Sequence, residues 1–112
     1  MNINDIANNL AAAIKSSNEY ISLKQAKKVI DTNLELKKKV TEFKQKEQTI
    51  ITSGMSRKDV EIKLAELNKA FEELSKIPEI NNYLMLERQL SITLQNAFTV
   101  IKDSIDRDLR SK

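Results

Sequence analysis

The chain has 112 residues, 40% of them apolar and 31% charged, enough for one helical domain and too few for a second core. It has no His and no Cys, which removes disulfides, thiolate clusters and imidazole ligands. Its net charge of +3 is too small to mark a nucleic-acid binder by its total.

One Gly and one Pro in the whole chain leave long stretches without a breaker, and the apolar share argues against disorder. The expected fold is all-α: short N-terminal helices, a long antiparallel hairpin and a long last helix, in a single domain over 1–112. No apolar run exceeds Leu10 to Ile14, far short of the roughly 20 residues that span a bilayer. Asp5 stands early with no basic stretch before it, so no secretory leader is expected and the location is read as cytoplasmic.

The first helix is expected over about 4–16, capped by Asn4 or Asp5, with Ile3, Ile6, Leu10 and Ile14 on one face. Ser16, Ser17 and Asn18 interrupt the pattern. A second helix over 18–31 is expected to place Tyr20, Leu23, Ala26, Ile30 and Leu34 on its buried side. Asp31, Thr32 and Asn33 either end that helix and cap the next or merely bend a continuous one.

A third helix over 33–52 repeats Leu36, Val40, Phe43 and Ile50, and Gly54 suits the left-handed residue that follows a helix end. Ser56 with Asp59 reads as a capping box for a fourth helix over 57–76. That helix carries Val60, Leu64, Leu67, Phe71 and Leu74, spaced so that one stripe faces a partner helix. Pro78 fits a first helical turn and starts the last helix, which meets no breaker before about Arg110. On a helical wheel its main arc holds Ile80, Tyr83, Leu84, Leu90, Leu94, Phe98, Ile101, Ile105 and Leu109. Met85 and Ile92 fall on the opposite side. The main arc is expected to be covered within one chain, and Met85 and Ile92 to serve a homodimer contact.

Catalysis has few residues to work with. Glu72 and Glu73 are adjacent, and neighbours on a helix do not face each other. Asp103, Asp106 and Asp108 alternate with Arg107 and Arg110, as a solvated face does, and no cation-binding loop is spelled out. Gly54 stands alone, so no phosphate-cradling loop exists. No enzyme, cofactor or metal site is expected. Charge is uneven along the hairpin: residues 24–46 are lysine-rich and residues 59–87 acidic, which helps the arms pair and keeps them soluble. The lysine-rich arm also offers a partner surface at Lys24, Lys27, Lys28 and Lys38. Its lysines are not interleaved with aromatics, so protein is the favoured partner and RNA the alternative.

Several ordered segments resemble the YlbF/YmcA family, most closely its short YheA-like members. They are Ile6-Ala7-Asn8-Asn9-Leu10 with Ile14, then Ser17-Asn18-Glu19-Tyr20, Lys24-Gln25-Ala26, and Ile30-Asp31 through Phe43. The likeness returns at Ile77-Pro78-Glu79-Ile80, Tyr83-Leu84 and Glu87. The resemblance implies an all-helical hairpin fold, dimers or hetero-oligomers, and a source among low-GC Gram-positive bacteria. It implies a non-catalytic helper role linked to ribonuclease Y and mRNA processing, and through them to competence, sporulation and biofilm formation. Relatives associated with iron–sulfur clusters hold them by cysteines; this chain has none, so that cofactor is not carried over.

Overall fold

The computed structural model describes residues 1–52, 54 and 56–110. Among them there are five α-helices and no strand: α1 (Ile3–Lys15), α2 (Asn18–Asp31), α3 (Leu34–Thr52), α4 (Arg57–Leu74) and α5 (Pro78–Arg110).

Short polar side chains set the helix starts. The first helix begins earlier than expected, because Asn2 rather than Asn4 or Asp5 is the cap. Asn2 Oδ1 accepts the Asp5 N–H at 2.9 Å, and Asp5 Oδ2 accepts the Asn2 N–H at 3.3 Å. Asp5 is therefore the third helical residue of a reciprocal capping box. At α2, Ser17 Oγ accepts the Tyr20 N–H at 3.3 Å. The polar cluster at 31–33 is a true break: Asn33 Oδ1 accepts from the N–H groups of Glu35 and Leu36 at 3.1 and 3.2 Å. Ser56 Oγ accepts the Asp59 N–H at 3.3 Å at the start of α4. In α5, Pro78 occupies the first turn, where its missing N–H costs nothing, and the Asn81 N–H reaches the Ile77 carbonyl at 2.9 Å.

Gly54 has φ +65, the left-handed conformation expected of it. A Cβ there would meet nothing within 4 Å, so only the backbone conformation selects glycine. Residues 53 and 55 of the same break lie outside the described residues.

Contacts divide the chain into two units, a middle unit of Gln25–Leu84 and a terminal unit of Met1–Lys24 with Met85–Lys112. Every buried side chain among the described residues belongs to the middle unit. Ala26, Ile30, Leu36, Val40, Phe43, Ile80, Tyr83 and Leu84 form its core, with Ile80 fully enclosed. Within it α3 packs on α4, and the rings of Phe43 and Phe71 meet at 6.0 Å between centroids, tilted by 44°. The α4 stripe is only partly covered: Val60, Leu67 and Leu74 are half-buried, while Leu64 and Phe71 stay exposed.

The terminal unit departs from expectation. The main arc of α5 is buried only at its start, and Leu94, Phe98, Ile101, Ile105 and Leu109 are exposed, as are Ile3, Ile6 and Leu10 of α1. A side chain is covered only where another element lies over it, and the apolar pattern alone does not supply one. Met85 and Ile92, singled out from the sequence, are exposed as well. Within this unit Thr93 Oγ1 donates to Glu19 Oε2 at 2.8 Å, tying the first turn of α2 to α5.

Candidate interaction surfaces

The lysine-rich arm does not form one patch of free cations. Lys27 Nζ donates to Asp31 Oδ2 at 2.7 Å, one helical turn along α2. That hydrogen bond, and then the charge of Asp31, raise the Lys27 pKa above the ordinary lysine value. The same bond lowers Asp31 below the ordinary carboxylate value. Both side chains reach solvent, so their pairing adds little to stability. Lys28 on α2 and Lys38 on α3 are exposed within the middle unit. Lys24, also exposed, falls in the terminal unit.

Lys44 and Tyr83 form a contact that sequence reading did not anticipate. Lys44 Nζ donates to the Tyr83 hydroxyl at 3.1 Å and stands 5.1 Å from the centre of its ring. The ring belongs to the core and is occupied by this lysine, so it offers no face on which a base would stack. The only sequence signal was Tyr83 itself, a residue with an apolar body and a polar tip that wants a partner when buried.

Between α3 and α4 lies an open groove of about 350 Å³, with Ile50 and Leu67 among its lining. Its charged members, Glu42, Lys46, Lys63 and Glu66, are mixed in sign. Thr49 and Ile50 line it together with Lys63, and a smaller groove puts Lys39 and Phe43 together with Glu73 and Leu74. The described ion pairs Lys27–Asp31, Glu35–Lys39, Arg57–Glu61, Lys63–Glu66 and Lys102–Asp106 each run within one helix. Among the described residues no group of three or more His, Cys, Asp or Glu is placed to hold a metal ion. No described helix is long and apolar enough to cross a membrane.

Helices with capped starts, a modest core and a large exposed apolar surface among the described residues make this an all-helical protein. The chain belongs to the YlbF/YmcA family, a regulatory family described by control of the competence regulator ComK, whose pattern matches residues 3–106. A UPF0342 protein of Caldicellulosiruptor bescii is 31% identical over 94% of this chain and 89% of its own length. A UPF0342 protein of Caldicellulosiruptor saccharolyticus is also 31% identical, over 94% and 88%. One from Staphylococcus haemolyticus is 26% identical over 95% of this chain and 94% of that protein.

Proposed function

We propose that this chain is a non-catalytic helical adaptor of the YlbF/YmcA type, acting in the cytoplasm by protein–protein contact and working as a homodimer. The observation that carries the reading is the family match along nearly the whole length of a helical chain that leaves much apolar surface uncovered. In this reading α3 and α4 are the arms of an antiparallel hairpin. The grooves support it, since higher-numbered α3 residues share a lining with lower-numbered α4 residues and the reverse. The pathway is regulatory, in mRNA processing or developmental control of low-GC Gram-positive bacteria.

The partner is met at exposed lysines, with Lys24, Lys28 and Lys38 the freest of the four singled out and Lys27 shared with Asp31. Opposite charge there speeds encounter and selects partners more than it adds affinity. The test is affinity capture from native extract with and without ribonuclease. Reversing Lys24, Lys27, Lys28 and Lys38 to Glu should leave helicity and mass unchanged and reduce capture of the partner. Ribonuclease should leave capture intact. A pull-down emptied by ribonuclease alone replaces the adaptor with an RNA-binding protein, whose affinity would fall steeply with salt.

A further inference from the structure

Among its described residues the terminal unit has apolar stripes and no buried side chain. Helix α1 is 13 residues long and none of them is buried, although Ile3, Ile6 and Leu10 line one side. A helix of that length is marginal in water by itself, so its apolar face needs a cover. Along α5, Leu90 and Ile101, Leu94 and Ile105, and Phe98 and Leu109 are each eleven residues apart. That period is close to the helix's own, so the stripe stays on one side of a nearly straight helix instead of winding left-handed.

Charge is also missing where it would interfere. In a chain that is 31% charged, no residue between Asp5 and Lys15 is charged, and none between Arg88 and Lys102. The polar residues beside the apolar ones are Asn, Gln, Ser and Thr. Loss of charge is the mark of an interface centre. Across a two-fold axis the residues nearest the axis meet their own copies, so a charge there would face an equal one, and a neutral face avoids that repulsion. A lipid-binding helix would instead flank its apolar stripe with lysines.

We infer that the apolar faces of α1 and of α5 beyond Leu90 are the surface on which a second copy packs, two stripes from each chain closing one four-helix core. This rests on the homodimer in the proposed function and names its contact. Phe98 is 65% exposed, Ile105 56% and Ile3 84%. At on the order of 200 Å² for a fully exposed large side chain, the two stripes together offer roughly 800 Å² per copy. A stable interface needs about 800 Å² from each partner. Met85 and Ile92, on the other side of α5, offer a fraction of that area.

Sedimentation equilibrium at micromolar concentration tests it on three proteins. The parent should have twice the chain mass of 12.8 kDa. Phe98→Glu with Ile101→Glu should have the single mass with its helicity retained in α2 to α4, and Met85→Glu with Ile92→Glu the double mass. A dimeric parent that is dissociated by the Met85/Ile92 pair, or by both pairs equally, overturns the assigned face and leaves the homodimer standing. A monomeric parent overturns both. If the Glu pair fails to fold, Phe98→Ala keeps a good helix former and should raise the dissociation constant at least tenfold. An unchanged constant there overturns the face.

Discussion

The middle and terminal units are built from the same kind of helix, capped by short polar residues and striped with Leu, Ile and Phe. Only the middle unit buries its stripes: Phe43 is 8% exposed and Ile80 0%, while Phe98 on the same α5 is 65% exposed. An amphipathic stripe therefore says that a helix has a partner without saying whether the partner is in the same chain. The middle unit finds its cover internally. The terminal unit, in the proposed dimer, finds it in a second copy.

The sharpest way to break this contrast is to cut one side chain from each stripe. Ile80→Ala should cost about 2–5 kcal/mol in denaturant unfolding, since it leaves a cavity in a closed core. Phe98→Ala, measured dilute enough for the monomer to dominate, should stay within about 0.5 kcal/mol, as surface substitutions do. Equal losses would mean that both units are packed within one chain. The turn of the middle unit comes next. Gly54→Val should cost about 1–2 kcal/mol in the same unfolding assay because a β-branched residue resists positive φ, and Gly54→Asn should cost less.

The cap of α1 sharpens the comparison from the other side. Removing it with Asn2→Ala should weaken the helix by about 1 kcal/mol. Both copies lose the cap, so the dissociation constant of the dimer should rise roughly thirtyfold while the unfolding midpoint of the monomer hardly moves. The smallest effect belongs to Lys27 and Asp31. The Asp31 pKa is lowered by the Lys27 hydrogen bond, so its contribution is present above the ordinary carboxylate value and lost as pH falls through the folded one. The Lys27 pKa is raised, so its contribution is lost only as pH rises through that raised value. Stability should be flat near neutrality with respect to this pair. Asp31→Asn should soften the acid limb of a pH–midpoint curve and leave its neutral plateau in place.

Much of the fold was legible because it is local. Ser17, Asn33, Ser56, Gly54 and Pro78 mark helix ends by what their own side chains and backbones can do, and the structure uses each of them that way. The start of α1 was misjudged because Asn2, Asn4 and Asp5 are all competent caps and only the reciprocal bond decides among them. Tertiary placement was less legible. The wheel grouped Ile80 with Phe98 and Ile105, but which of them is covered depends on where other helices lie along α5. The Lys44–Tyr83 contact joins residues far apart in sequence, and no local pattern announces it. The uncharged stretches at 6–14 and 89–101 stand in the sequence as plainly as the lysine-rich one, and in the proposed dimer they are the buried faces.

Amide hydrogen exchange of the unmodified protein, followed at concentrations below and above the dimerisation midpoint, tests the central claim most directly. The account predicts that residues 3–15 and 89–110 gain protection as concentration rises, while residues 34–50 and 78–84 are protected equally throughout. Protection of residues 3–15 and 89–110 that is already full in the dilute protein, or that never rises at any concentration, would contradict it.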